Sequence, residues 1–179
     1  MPKKLKHVMV DLETLGTAAD ACIISIGAVR FNIDTKEIDD DGFYASVSID
    51  SNGDRRIQES TLVWWLGQGV NAQKVFHEPK RDLDLVLQEL AAWIDDPEVI
   101  MWSNGADFDL PMLTHAYISF GMEVPWHFWN SRCVRTYKNL PGAKNIKVPY
   151  DGTKHNALFD AIHQAKQVQA IHAGLFAKK

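Results

Sequence analysis

His7-Val8-Met9-Val10-Asp11-Leu12-Glu13-Thr14 is the stretch whose reading decides the fold. Residues 7–10 form a short, mostly apolar run rich in β-branched side chains, which reads as a buried strand leading into Asp11. Residues i and i+2 of an extended chain point the same way, so Asp11 and Glu13 can bind one metal together. Acidic pairs at this spacing are common, and Asp82/Asp84 and Asp107/Asp109 are others. Position singles out the first pair: it follows a buried strand directly, and Gly16 lets the chain turn away. Carboxylates at such a place need something to offset their desolvation, and divalent cations supply it.

Working outward, residues 23–31 read as a second strand and the alternating residues 43–49 as a third, with a turn at residues 39–42. From residue 59 the pattern changes. Ser60 or Thr61 is placed to cap a helix carrying Leu62, Trp65 and Leu66, and Asp82 opens a clearer one. In that second helix Leu83, Val86, Leu87, Leu90 and Ile94 recur at helical spacing. Residues 99–102 are a fourth strand, and a helix over residues 110–120 ends at Gly121. The last helix spans residues 156–172 with Leu158, Ile162, Ala165 and Val168 inward. Three strands first, then strands interleaved with helices, predict an α/β fold: a mixed β-sheet flanked by α-helices.

The 179 residues fit one domain, 1–179, with 46% hydrophobic and 23% charged residues. No apolar run approaches the roughly 18–20 residues that span a bilayer, so no membrane is expected as a partner. Cys22 and Cys133 lie far apart and suit reduced thiols, which points to a cytoplasmic chain. The net charge of −4 argues against a general, histone-like binder of nucleic acid. It leaves a nuclease open, because metal-binding carboxylates contribute to the count.

Further acidic residues complete a possible metal site. Asp109, in Asn104-Gly105-Ala106-Asp107-Phe108-Asp109, fits two roles equally: a helix cap beside Pro111, or a metal ligand. Asp107 reads as solvated. His155 and Asp160 lie too far around a helix to share a face. His155 therefore belongs to the loop before the last helix, free to take a proton, and Asp160 to its first turns, projecting toward the sheet. His7, His77, His115, His127, His163 and His172 read as structural or solvated. Residues 132–154 hold six basic side chains against Asp151 alone and read largely as loop. Such a loop is either simply solvated or suited to a single-stranded backbone entering the site. Trp64 and Trp65 could stack on bases, but tryptophans on a helix are more often core.

Asp-x-Glu-Thr near the start, Asn-x-x-x-Phe-Asp in the middle and His-x-x-x-x-Asp near the end resemble the DEDDh exonucleases, which are RNase H-like 3′–5′ exonucleases. The tyrosine-bearing sister group would place Tyr where this chain has Asn156. Asp-Leu-Glu-Thr-Leu-Gly-Thr, Ser-Ile-Gly-Ala-Val and Thr61-x-x-Trp64-Trp65 look most like the small bacterial and phage branch. That branch includes the mycobacterial-type exoribonuclease and phage exodeoxyribonucleases. The resemblance implies an RNase H-like sheet and two Mg²⁺ or Mn²⁺ ions, ~3.5–4 Å apart in such sites. It assigns Asp11 to both metals, Glu13 and Asp160 to the one carrying the nucleophilic water, Asp109 to the second, and His155 to that water's proton. Glu13, Thr14 and Leu15 resemble the positions that recognise the terminal nucleotide, Glu13 by accepting from the 3′-hydroxyl. The partner implied is single-stranded nucleic acid with a free 3′ end, and the product a nucleoside 5′-monophosphate. Relatives are often dimers, which raises a homodimer through the Trp-rich segment.

Two other classes fit less well. A non-catalytic nucleic-acid-binding module on the same fold would gain nothing from four carboxylates beside phosphate. An RNase H-like endonuclease or transposase-type enzyme would have no clear use for His155. Nothing in the chain announces a contact to the 2′-hydroxyl, so RNA and DNA stand level as substrates.

Overall fold

The computed structural model describes residues 5–176. Its centre is a five-stranded mixed sheet in the order β3-β2-β1-β4-β5. The strands are β1 (His7–Thr14), β2 (Ile23–Phe31), β3 (Phe43–Ser46), β4 (Ile100–Ser103) and β5 (Ser131–Cys133). β1 pairs antiparallel with β2 and parallel with β4, and β2 with β3 is antiparallel. The helices are α1 (Glu59–Leu66), α2 (Val70–Gln73), α3 (Leu83–Ile94), α4 (Asp109–Ser119), α5 (Val134–Lys138) and α6 (Ala157–Phe176). Among the described residues, no helix is long and apolar enough to cross a membrane.

Strand alternation sorts β1 between two cores. Val8, Val10 and Leu12 pack with Leu83, Leu87, Leu90 and Leu113, residues of α3 and α4. Met9 packs on the other side with Val29, Phe31, Trp102 and the α6 residues Ala161, Ala165 and Val168. The same parity sends Asp11 and Glu13 to the α6 side, beyond the end of that core. Small residues bring α6 down onto the sheet: Ala157, Ala161 and Ala165 are all fully buried. Gly27 on β2 completes the approach. A Cβ there would collide with the backbone of Ala157 and Leu158, so only glycine lets the start of α6 sit so low.

The structure differs from the sequence-based expectation at several element ends. β1 runs past Asp11 through Thr14, because Asp11 and Glu13 still pair with Gly27 and Ser25. β3 is shorter, ending at Ser46. The reversal after β2 comes earlier than residues 39–42: Asn32 N–H donates to the Glu37 carbonyl and Phe31 bridges Ile38. α1 begins at Glu59 without a side-chain cap, and it buries Trp65 while leaving Leu62 and Leu66 exposed. In α6 Ala157, Ala161, Ala165 and Val168 are fully buried, whereas Leu158 and Ile162 are only partly so. β5 and α5 occupy the beginning of the basic segment expected to be loop. β5 is a short polar edge strand, Ser-Arg-Cys, with no apolar alternation to betray it.

Candidate active site

The C-terminal end of β1, the start of α4 and the start of α6 meet at one place. The register of β1 against β2 shifts between Glu13 and Thr14, and such irregularities re-aim side chains at the ends of sheets. Glu13 is 8% exposed and Asp109 2%, so both carboxylates are nearly out of water. The Leu12 N–H donates to Asp109 Oδ1 at 3.0 Å, tying the first residue of α4 to β1. Asp109 is the first residue of α4 rather than its cap: Phe108 holds the cap position, and no side-chain cap hydrogen bond forms there. Asp107 is exposed, as expected of a solvated side chain.

Asp160 stands in the first turn of α6, whose opening Asn156 supports with its carbonyl and side-chain oxygen. Both oxygens of Asp160 are engaged from the loop before the helix. The His155 N–H donates to Oδ2 at 2.9 Å, and the Tyr150 hydroxyl lies 2.9 Å from Oδ1. That hydroxyl is also 3.0 Å from the Thr153 carbonyl, so its single proton serves one acceptor at a time. His155 has a left-handed backbone, φ 61°, which turns the chain sharply into α6. Its ring meets Trp64 edge-on at 5.0 Å and Trp65 at 6.2 Å. Ligand atoms of Glu13, His155 and Asp160 lie within 4.8 Å of one another, close enough to share one cation.

Asp11 is held by a residue that no motif signalled. Gln164, one turn along α6 from Asp160, donates its amide to Asp11 Oδ1 at 2.7 Å. Helix spacing explains the contact, since i and i+4 lie on one face. Tyr150 escaped notice for the same reason: it carries no spacing signature, and only the fold brings it to Asp160.

The electrostatics follow from burial and crowding. Burial, then Asp109, Glu13 and Asp160, drive the Asp11 carboxyl well above the usual range, while the Gln164 hydrogen bond pulls it back. Burial first, then Asp160 and Asp109, push Glu13 up to about 8. Asp109 is pushed up to about 6 by burial, against backbone hydrogen bonds from Leu12 and Asn104 and the Arg135 charge. A cluster that resists ionising in this way gains by exchanging its protons for hard cations. Two buried acceptors or donors beside it, Ser25 Oγ and Gln164 Oε1, have no partner among the described residues. The donor set is all oxygen with one imidazole, which suits Mg²⁺ or Mn²⁺.

A cleft of about 400 Å³ opens beside Glu13, lined among others by Leu12, Thr14, Trp64 and Phe108. Thr14 is 6% exposed, its hydroxyl donating to the Gly16 carbonyl at 2.6 Å. Leu15 is placed otherwise than a base or ribose contact requires. Its side chain is 1% exposed and packs with Cys22, Ile24 and Trp65, because its N–H and carbonyl are both held, by Cys22 and Gln58. Trp65 is core, with its indole N–H on the Thr14 carbonyl at 2.9 Å. Trp64 is 44% exposed and lines the cleft, so of the two readings weighed for the tryptophans the core one fits Trp65 and not Trp64. Of the remaining histidines, His7 accepts from the Trp102 indole and His127 meets Glu98.

Residues 6–172 match the family model of the 3′–5′ exoribonuclease Rv2179c-like domain. An exodeoxyribonuclease of Enterobacteria phage T4 is 24% identical, over 72% of this chain and 68% of that one. Among solved structures, S. pombe Pop2p in its Mg²⁺- and Mn²⁺-bound form has a TM-score of 0.63 at 14% identity, covering 96% of this chain and 84% of that one. A 3′-exonuclease caught in 3′-end specific recognition of a histone mRNA stem-loop has a TM-score of 0.59 at 14% identity, covering 97% and 83%. The mixed sheet and its flanking helices are thus an RNase H-like exonuclease fold.

Proposed function

The chain belongs to the 3′–5′ exoribonuclease Rv2179c-like domain family, and we propose that it works as a two-metal, DEDDh-type nuclease on single-stranded RNA or DNA. It removes nucleoside 5′-monophosphates from the 3′ end. The observation that carries this reading is the approach of Glu13, His155 and Asp160 to within 4.8 Å.

Asp11, Glu13, Asp109 and Asp160 would hold two Mg²⁺ or Mn²⁺ ions. When bound, such ions polarise the scissile phosphate and stabilise the attacking and leaving oxygens of an in-line displacement. The protein's own groups do the rest. His155 accepts the proton of the attacking water, its backbone fixed to Asp160 and its ring braced edge-on by Trp64. Glu13 also accepts from the terminal 3′-hydroxyl, which selects a free end. The terminal base enters the cleft of Leu12, Thr14 and Phe108 and stacks on Trp64.

The test uses matched 5′-labelled single-stranded RNA and DNA, with Mg²⁺ or Mn²⁺. A metal-dependent ladder shortening from the 3′ end, absent in Asp11→Ala and Asp109→Ala, supports the reading and ranks the two sugars. Full activity in Asp109→Ala would mean that the metal site is wrongly drawn. Cleavage of a circular single strand would make the enzyme an endonuclease instead.

A further inference from the structure

Beyond the carboxylates, a concavity rich in lysine lies further along α6. A cleft of about 470 Å³ is lined by Lys138, Lys144, Lys147, Asn139, Gln167 and Ile171, with no carboxylate in its wall. Asp160, Gln167 and Ile171 recur at spacings that place them on one helix face. At about 1.5 Å rise per residue, the cleft begins roughly 10 Å from Asp160 and extends to roughly 16 Å.

The wall is built rather than draped. Val134 and Ala143 are buried, anchoring α5 and the loop that follows it. Ile146 sits on Gly174, where a Cβ would strike its side chain, and Leu175 similarly crowds Gly142. From Lys147 the same segment runs through Val148 to Tyr150, whose hydroxyl is 2.9 Å from Asp160 Oδ1. The cleft and the carboxylates are therefore two ends of one continuous wall. Arg135, on the first turn of α5, faces the Gly105 corner beside Asp109 and extends the positive charge between them.

We propose that this lysine cleft binds backbone phosphates of the substrate strand on the 5′ side of the scissile bond, more than one nucleotide upstream. The inference rests on the nuclease reading above and adds to it the strand's path. Three cations over the apolar surface of Ala143, Ile146, Val148 and Ile171, with the neutral amides of Asn139 and Gln167 at the side, suit a phosphate chain. A dinucleotide ends before the cleft; a longer strand reaches it.

Binding and cleavage are measured separately. Fluorescence anisotropy with Ca²⁺ in place of Mg²⁺ follows strands of two to twelve nucleotides, in the unmodified chain and in Lys138→Gln/Lys144→Gln/Lys147→Gln. Affinity should tighten with length, and the triple variant should lose that gain, with Kd for the longest strand rising about tenfold. Each lost phosphate contact should also flatten the salt dependence by about 0.7 in slope. The corresponding Lys→Arg triple variant should retain tight binding, and dinucleotide cleavage should be unchanged in all three proteins. Affinity that stops growing at two nucleotides, or a Gln variant that binds like the unmodified chain, overturns the proposal. So does a free nucleoside 5′-monophosphate that binds as tightly as the strand, since the cleft would then hold product. Failure of the unmodified chain to cleave either length with Mg²⁺ or Mn²⁺ would instead overturn the nuclease reading.

Discussion

Gln164 donates its side-chain amide to Asp11 Oδ1 over 2.7 Å, joining the last helix to the first strand at the carboxylate with the most acidic neighbours. The bond occupies Asp11 Oδ1 and, in the proposed metal site, would leave Oδ2 for a cation. Gln164→Leu keeps the volume and removes the donor. It should leave the fold intact and raise the metal concentration for half-maximal activity about 10–100-fold, the usual cost of losing a ligand's support. A metal titration identical to that of the unmodified chain would show that Gln164 merely packs.

Tyr150→Phe removes the hydroxyl near Asp160 Oδ1 and no packing surface. Cleavage should fall, and the Mg²⁺ requirement should rise, with thermal stability nearly unchanged. If only stability moved, the tyrosine would be a loop brace without influence on the carboxylate.

Trp64 and Trp65 should respond oppositely to truncation. Trp64→Ala loses a stacking surface worth about 1–3 kcal/mol per base, so KM should rise while the melting temperature holds. Trp65→Ala opens the core and should cost about 3–5 kcal/mol of stability. Paired melts and kinetics separate the two, and equal effects would sink the assignment.

Gly27→Ala places a methyl group against the backbone of Ala157 and Leu158. The start of α6 must lift, taking Asp160 with it, so activity should drop far more than the sheet's stability. A crystal structure of the variant with α6 unmoved would contradict this.

Proton linkage gives a prediction with a definite sign. Glu13 is held at about 8 against an ordinary 4.5, and Asp109 at about 6 against 3.8. The folded, metal-free chain thus keeps protons that the unfolded chain has released across this window, and its stability falls as pH rises from about 4 to 8. Melting temperature in EDTA should decline over that range, each kcal/mol being about 2–4 °C for a chain of this size. Mn²⁺ should restore the most at pH 8, where it displaces the fewest protons. A flat profile in EDTA would count against the buried cluster.

Much of this was legible in the sequence where a residue type and its spacing report on one element. β2 was read at its observed bounds, and all five apolar positions of α3 are buried. That Asp11, Glu13, Asp109, His155 and Asp160 come near one another was legible because they lie in the second half of β1 or at or just before the start of a helix. Gln164 and Tyr150 were not, since a neutral amide and a loop tyrosine acquire meaning only from what lies across from them. β5 was hidden for want of apolar residues. The burial of Leu15 was not legible because it depends on backbone hydrogen bonds to Cys22 across a short loop and to Gln58, which is distant in sequence.

The two bonds that organise the site span 97 and 153 residues, Leu12 to Asp109 and Asp11 to Gln164. Contacts of such sequence separation form late, after the entropy of closing long loops has been overcome. A chain emerging from the ribosome can therefore pair β1, β2 and β3 while still lacking Asp160, Gln164 and His155. It has a sheet and part of a carboxylate cluster, but lacks groups that the proposed mechanism needs for cutting. The order of residues along the chain acts as a timer, delaying hydrolytic competence until synthesis has passed the last helix.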